Sequence, residues 1–256
     1  MTVVLVHGNP ETAAVWDLLA DRLAEKGYVD QVRLSPPGFG AAVPEGFDCT
    51  VLAYRDWLIG EIEQIGKPVH LVGHDWGGAH VVNVAMTRPD LLHSWCTDAI
   101  GLFDPDYVWH DFAQVWQTPE AGEASLAQLL AAAPDGLAGM LAGNGMDAGV
   151  AARVATGFNQ SMVQSILRLY RSAVQPVMAD LGTNLEAAAA RPGLVIVPTG
   201  DPMVGSEELR QRAAVRAGAE VVMLNGAGHW WLTEGDGRSG AAALAGFWAS
   251  LSHGEL

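Results

Sequence analysis

The sequence predicts an α/β fold in which a mostly parallel central sheet is flanked by helices. Short runs of β-branched and apolar residues, typical of buried strands, recur along the chain and alternate with stretches of helical spacing. One such run, Val69 to Val72, enters a predicted helix through a turn that is rich in glycine, from Gly73 to Gly78. The alternation stops between residues 101 and 191, where the pattern indicates helices and loops only. We therefore expect a helical insertion within the α/β domain.

The predicted strands begin almost at the first residue, and no antiparallel hairpin precedes them, so we expect either a small sheet or an edge that is covered in some other way. Parallel strands need helical crossovers, and the intervening stretches supply them. The predicted strands span 2–6, 32–34, 69–72, 92–97, 193–198 and 220–224, and the main helices outside the insertion span 11–26, 50–65, 79–86 and 240–250.

Length and composition limit the classes of protein that fit. A chain of 256 residues accommodates one core domain, predicted at 1–100 and 192–256, and a helical cap at 101–191. A net charge of −15 argues against nucleic acid and anionic membranes as partners. The two cysteines, Cys49 and Cys96, are too few for a disulfide framework, and neither a signal peptide nor a membrane-spanning stretch is predicted. We expect a cytoplasmic protein, and the sequence leaves its oligomeric state open.

The glycine-rich turn carries Asp75 at its tip, in Gly73-His74-Asp75-Trp76-Gly77. A carboxylate is ionised at neutral pH and can displace a leaving group from a saturated carbon to give an ester. The motif resembles the nucleophile elbow of the α/β-hydrolase fold, in which Ser is the usual nucleophile. With Asp in that position, the chain resembles haloalkane dehalogenases and epoxide hydrolases, and an esterase is disfavoured.

The loop His7-Gly8-Asn9-Pro10 resembles the oxyanion loop of the same fold. The resemblance implies that the backbone N–H groups of Asn9 and Trp76 form the oxyanion hole. It also implies that the Asn9 amide and the Trp76 indole hold a departing halide, since both side chains are hydrogen-bond donors. The alternative for Asn9 is a turn residue without a role in binding, because an Asn-Pro pair is common in turns.

The resemblance also implies a catalytic base and an acid that orients it. The base is His229, in Gly228-His229-Trp230, whereas His74 is expected only to orient a loop. The acid is Asp201, which follows a predicted strand, with Asp98 as the alternative. No metal-binding or dinucleotide-binding spacing is present in the sequence, so we expect neither a metal nor another cofactor.

Aromatic residues of the insertion are candidates for the substrate pocket. Their spacing predicts that Trp109, Phe112 and Trp116 share one helix face, which is more often core than pocket wall. By resemblance, Phe112 stands where epoxide hydrolases have the first of two ring-activating tyrosines, and Tyr170 stands at the second. Phe cannot donate a hydrogen bond to the epoxide oxygen, and His110 is a candidate substitute.

These residues rank three hypotheses for function. Haloalkane dehalogenase comes first because Asn9, Trp76, Asp75, His229 and an Asp acid make a complete set. Epoxide hydrolase comes second because one tyrosine is missing. A ligand-binding protein without catalysis is the third hypothesis, since folds of this kind also host receptors. For either enzyme the expected partners are a small apolar organic substrate and water.

Overall fold

The computed structural model describes residues 1–253, apart from the side chain of His253. Within these residues, a six-stranded parallel sheet has the order β2-β1-β3-β4-β5-β6, as the α/β prediction requires. The strands are β1 (Val3–Val6), β2 (Gln31–Leu34), β3 (Val69–Gly73), β4 (Leu92–Thr97), β5 (Gly193–Pro198) and β6 (Glu220–Leu224).

Helices cover both faces of this sheet, and β1, β3 and β5 are buried at every position. The helices outside the insertion are α1 (Asp17–Glu25), α2 (Val51–Ile65), α3 (Trp76–Thr87), α10 (Glu207–Arg216) and α11 (Arg238–His253). Those between β4 and β5 are α4 (Asp111–Gln117), α5 (Ala121–Ala132), α6 (Asp135–Gly143), α7 (Ala148–Ala155), α8 (Gln160–Ser172) and α9 (Val177–Leu181).

The strand register places the functional loops side by side. Val6, the last residue of β1, pairs with Gly73 at the end of β3 and with Leu34 at the end of β2. Because parallel strands that end together release their loops at the same edge, the loop after β1 meets the glycine-rich turn after β3. This edge is where ligands bind in open α/β sheets.

Two predicted helices differ from the observed ones near this edge. The helix predicted from Glu11 is instead a 3-10 turn at Ala13–Trp16 followed by α1. Glu11 itself lies in the loop, because its carboxylate turns back to accept the Gly8 backbone N–H at 3.1 Å. Helix α3 begins at Trp76, immediately after Asp75, which is three residues earlier than predicted.

The prediction that three aromatic residues share one helix face is wrong for Trp109. Helix α4 begins only at Asp111, and His110 caps it by accepting the Ala113 backbone N–H on Nδ1 at 3.3 Å. Phe112 and Trp116 lie on α4 with their rings stacked at 6.1 Å, and Phe112 is 53% exposed. Among the described residues no single helix is long and apolar enough to cross a membrane; α5 and α6 meet that criterion only as a pair, bent by 106°.

Candidate active site

Asp75 occupies a strained backbone position at the tip of the elbow, with φ of 51° and ψ of −126°. This conformation is uncommon for a residue with a side chain, and such strain clusters at functional sites. The glycines around it are required by space: a Cβ on Gly73 would collide with the backbone of Gly77, and a Cβ on Gly77 with the backbone of Val6. The elbow therefore holds the Asp75 carboxylate above the ends of the strands.

The loop after β1 contacts this carboxylate directly. Oδ2 of Asp75 accepts the backbone N–H of Asn9 at 2.9 Å. A Cβ on Gly8 would collide with the Asp75 carboxyl group, so only glycine permits this approach. Trp76 is the first residue of α3, so its backbone N–H has no acceptor within the helix. The two backbone N–H groups expected to form the oxyanion hole thus lie on the two elements that hold Asp75.

His229 is buried beside Asp201 in the loops that follow β6 and β5. Its Nδ1 lies 3.0 Å from Oδ2 of Asp201. Burial opposes the charged form of both side chains, but their mutual attraction outweighs it, raising the pKa of His229 and lowering that of Asp201. Asp201 also accepts the Met203 backbone N–H at 2.8 Å, which fixes its loop.

Asp98, the alternative acid, is engaged elsewhere. Its Oδ1 accepts the backbone N–H of Asp75 at 2.9 Å, and its Oδ2 contacts Nδ1 of His74 at 2.5 Å and accepts the Trp231 indole N–H at 2.7 Å. The structure therefore places Asp201, and not Asp98, against His229.

Burial raises the pKa of Asp75 to about 6 from its ordinary 3.8, although the nearby imidazoles of His229 and His74 oppose this shift. A pKa in this range is typical of functional carboxyl groups. The group is still ionised at neutral pH, so it can act as a nucleophile there.

Sequence reasoning missed Glu11, which is fully buried beneath the site. Its Oε1 lies 3.1 Å from Nε2 of His74 and accepts the Trp230 indole N–H at 2.6 Å. The sequence did contain one signal for such a residue, the pair Trp230-Trp231 after His229. Two buried indole N–H groups need acceptors, and carboxylates such as Glu11 can supply them. Burial opposes ionisation of Glu11, but His74 outweighs it and the pKa of Glu11 falls to about 2.

Glu11, His74 and His229 bring ligand atoms within 4.8 Å of one another, a spacing that also suits a metal ion. Both ring nitrogens of His74 already bond to carboxylates, one to Glu11 and one to Asp98. Coordination needs a free nitrogen lone pair. These residues therefore do not fit a metal site in this arrangement.

A cavity of about 80 Å³ opens above Asp75 and His229. Such a volume holds only a small ligand, since an apolar cavity of roughly 150 Å³ is known to hold benzene. Five of the side chains predicted to bind substrate or leaving group line it, together with apolar residues of the insertion that the sequence did not single out. The predicted residues that line the cavity are Asn9, His110, Phe112, Trp116 and Tyr170. The apolar residues that were not predicted include Leu129, Met140 and Leu141.

Two other predicted residues, Trp76 and Trp109, are not part of the cavity lining. Their indoles stack on each other at 5.6 Å, and the Trp76 and Tyr170 rings meet edge to face at 5.4 Å. Trp76 therefore packs against Tyr170, which lines the cavity, but does not line the cavity itself.

Hydrogen-bond donors gather on one side of the cavity. The Asn9 side-chain amide is buried, and neither its nitrogen nor its oxygen makes a hydrogen bond with the described residues. The Tyr170 hydroxyl approaches the Asn9 and Trp76 side chains. Burial and the charge of Asp75 hold its pKa well above the ordinary value, so it keeps its proton. An unpaired buried amide is costly, and this one belongs to a residue that lines the cavity.

His110 supplies a further donor. Its Nδ1 accepts the Ala113 N–H, and burial and the nearby His229 lower its pKa to about 4, so the ring is neutral at pH 7. A neutral imidazole that accepts on Nδ1 carries its proton on Nε2. The His110 and Tyr170 rings lie edge to face at 6.3 Å.

Comparisons with known proteins agree with this fold. The chain is 31% identical over 142 residues to the AB hydrolase superfamily protein YfhM of Bacillus subtilis, covering 49% of this chain and 48% of that protein. It is 35% identical over 92 residues to an epoxide hydrolase of Caballeronia sordidicola, covering 34% and 27%. The matched stretches thus span about half or less of these relatives.

Solved structures match over nearly the whole chain. The haloalkane dehalogenase DbeA of Bradyrhizobium elkani superposes with a TM-score of 0.70 at 23% identity, covering 97% of this chain and 91% of that one. The enol-lactonase of Burkholderia xenovorans gives 0.72 at 18% identity, with the same coverage. At such identities the likeness establishes the fold alone. A model described as "Alpha/beta hydrolase family" matches residues 3–241, so the chain belongs to the alpha/beta hydrolase family.

Proposed function

We propose that the protein is a hydrolase that uses Asp75 as a nucleophile, and that its reaction is haloalkane dehalogenation. The observation that carries this proposal is the buried Asn9 amide, which lines the cavity beside Asp75 and lacks a hydrogen-bond partner among the described residues. A halide leaving group needs donors, and Asn9 has two amide hydrogens for it. The Tyr170 hydroxyl, which approaches the Asn9 and Trp76 side chains, adds a donor on that side of the cavity.

The first step of the proposed mechanism uses the free oxygen of Asp75. Because Oδ2 accepts the Asn9 backbone N–H, Oδ1 is the atom that attacks the carbon bearing the halogen. The carbon–halogen bond breaks, the halide leaves with its electron pair towards the donors, and an alkyl ester forms on Asp75. The apolar wall keeps bulk water from this step.

The second step releases the product. His229 takes a proton from water, and the resulting hydroxide attacks Cγ of Asp75. The charge that develops on Oδ2 is stabilised by the backbone N–H groups of Asn9 and Trp76, at about 2.7–4 kcal/mol per donor. The intermediate collapses to the Asp75 carboxylic acid and an alkoxide, which takes the proton from His229 and leaves as the alcohol. The Asp75 carboxyl group then releases its proton to solvent, so that the overall reaction yields alcohol, halide and one proton.

Epoxide hydrolysis is the second candidate, and a specific pair of donors favours it. His110 and Tyr170 both line the cavity. The Nε2–H of His110 and the hydroxyl of Tyr170 would donate to an epoxide oxygen as Asp75 opens the ring. The nucleophile, base and ester chemistry are the same in both candidates. The two candidate reactions differ in which hydrogen-bond donors bind the leaving atom.

A substrate that carries both leaving groups decides between the candidates. In a His229→Phe variant, epibromohydrin should alkylate Asp75 with loss of bromide, so the mass gain is that of the substrate minus HBr. A gain of the whole substrate mass would mean that the epoxide opened, and would favour the second candidate. For dehalogenation, Asn9→Ala should slow bromide release about 10–100-fold through the loss of a hydrogen bond to a charged group. His110→Phe serves as the control, because it removes a donor that only the epoxide reaction needs.

The rate of ester formation should depend on pH through Asp75. The group attacks only when ionised, and its pKa is about 6. The single-turnover rate of alkylation should therefore be constant above about pH 7 and fall tenfold per unit below pH 6. Because the charge of His229 lowers the pKa of Asp75, the midpoint should move to higher pH in His229→Phe. A midpoint near pH 4 in both proteins would contradict this prediction.

A further inference from the structure

Glu11 makes three contacts that reach three separate loops of the site. Oε2 accepts the backbone N–H of Gly8 in the oxyanion loop at 3.1 Å. Oε1 accepts the Trp230 indole N–H, next to His229 in the base loop, at 2.6 Å. The same oxygen contacts Nε2 of His74, the residue before Asp75 in the elbow, at 3.1 Å. The carboxylate is fully buried.

His74 links Glu11 to Asp98 through its two ring nitrogens. Its two ring nitrogens face two carboxylates, Glu11 and Asp98, so both nitrogens donate and the ring is an imidazolium. Burial disfavours that charge, but the two carboxylates hold the pKa of His74 well above its ordinary value. Asp98 in turn accepts the backbone N–H of Asp75 and the indole N–H of Trp231. We name Glu11, His74 and Asp98 the buried brace.

Burying these charged groups costs more free energy than filling the same space with apolar side chains. Burying an ion carries a desolvation cost of several kcal/mol, and a well-packed apolar residue often stabilises a core as much as a buried ion pair does. The base loop also has anchors of its own, including the bonds from Gly228 N–H to Glu234 at 2.8 Å and from the Thr233 hydroxyl to Trp230 O at 3.1 Å. The loop thus has hydrogen bonds that do not involve Glu11.

What Glu11 adds is a link between the loop that carries the base and the loops that hold the nucleophile. We infer that Glu11 is a positioning residue, which through the Trp230 indole and His74 sets the place of His229 relative to Asp75. It does not bond to His229, although one of its oxygens lies within 4.8 Å of a His229 ring nitrogen. Its effect on rates rests on the proposed function, because His229 acts only in the second step, whereas Asp75 keeps its own bond to Asp98.

The variant Glu11→Gln tests this inference with little change of shape. All three partners of Glu11 are donors, whereas Gln has one acceptor oxygen and a donor NH2 group. Either the link to Gly8 or the two links to Trp230 and His74 must therefore break, and in both cases the negative charge that faces the His74 imidazolium is lost. We expect hydrolysis of the alkyl-enzyme to slow at least about tenfold and alkylation to change less than about threefold, so that ester accumulates on Asp75. Rapid-quench mass spectrometry measures both steps. A loss of folded protein would lower the observed rates of alkylation and of ester hydrolysis equally. The ratio of these two rates is therefore independent of stability.

Two further variants keep the test sharp. Trp230→Phe removes one indole N–H from Glu11 and should shift the ratio in the same direction, which decides the matter if Glu11→Gln does not fold. Glu186→Gln neutralises an exposed carboxylate that pairs with Arg216, and it should leave the ratio unchanged. The inference would be overturned if the ratio of ester hydrolysis to alkylation in Glu11→Gln stayed within about twofold of the wild-type ratio. Where Glu11→Gln does not fold, the same criterion applies to Trp230→Phe.

A measurement without substrate separates this inference from the proposed function. In protein with ¹⁵N-labelled histidine, both ring nitrogens of His74 should be protonated at pH 7 and exchange slowly with water. In Glu11→Gln the Nε2 proton should exchange faster. If no substrate forms an adduct, the proposed function fails while this spectrum still tests the brace; a neutral His74 in the wild type would overturn it.

Discussion

Replacing Asp75 with Asn is expected to lower turnover by at least about 10⁴-fold, as loss of a covalent nucleophile does in other hydrolases. The amide is neutral and a poor nucleophile, so it forms no alkyl ester. Its oxygen still accepts the Asn9 backbone N–H, so the elbow and the oxyanion loop should keep their places. Steady-state product release, by halide and diol assays, measures the effect.

The same substitution should make the protein more stable at neutral pH. The pKa of Asp75 is raised from 3.8 to about 6 by burial, so the ionised group is less favourable in the folded chain than in the unfolded chain. That cost is fully present above about pH 6 and disappears below about pH 4. At about 1.4 kcal/mol per pH unit it reaches about 3 kcal/mol, which is the upper limit of the expected gain. Urea unfolding at pH 7.5 and pH 4 should show the gain only at the higher pH.

The outcome also separates the enzyme from a binding protein. A ligand-binding protein without catalysis would bind its ligand in a saturable way, convert none of it, and be unaffected by Asp75→Asn. Turnover that survives in Asp75→Asn would contradict the proposed nucleophile, even if the fold is intact.

Replacing His229 with Phe is expected to stop the reaction halfway. Alkylation needs only the Asp75 carboxylate, whereas hydrolysis of the ester needs a base for water, and a general base contributes about 10²–10⁴-fold. The variant should therefore release one equivalent of leaving group and retain the alkyl group on Asp75. Intact-protein mass and a mapped peptide containing Asp75 are the measurements. They should be made near pH 8, since loss of the His229 charge raises the pKa of Asp75.

Two controls define this result. Asp75→Asn combined with His229→Phe should gain no mass, which locates the adduct on Asp75. Asp201→Asn should slow hydrolysis without stopping it, because His229 is still present but lacks its 3.0 Å partner. Absence of any adduct in His229→Phe, with substrates that the wild type converts, would rule out a covalent route through Asp75.

The fold and the elbow were open to prediction because their signals are local. The strand runs before Asp75 and Asp201 appear in the sequence as continuous apolar segments, and the glycines at 73 and 77 mark a turn too tight for side chains. Helix starts were less accurate. Trp109 was assigned to a helix by spacing alone, whereas the cap formed by His110 begins α4 two residues later.

The sequence favoured Asp201 over Asp98 by resemblance but did not decide between them, since both follow a strand and both are Asp. Tertiary structure separates them, because His74 and Trp231 converge on Asp98 and leave Asp201 for His229. The sequence did not predict the role of Glu11 either, because its partner in the base loop, Trp230, lies 219 positions away along the chain.

The sequence by itself determined the alternation of strands and helices, the turn that presents Asp75, and the kind of side chain at each candidate position. Only the tertiary structure decided which of these side chains meet: that Asn9 lies unpaired beside the cavity, that Trp76 packs against Tyr170 without lining the cavity, and that the buried brace joins the loops. The physical reason is that local backbone preference and hydrophobic periodicity act between near neighbours in the chain. Hydrogen bonds and charges, in contrast, depend on distances that exist only after the sheet has brought the loops together.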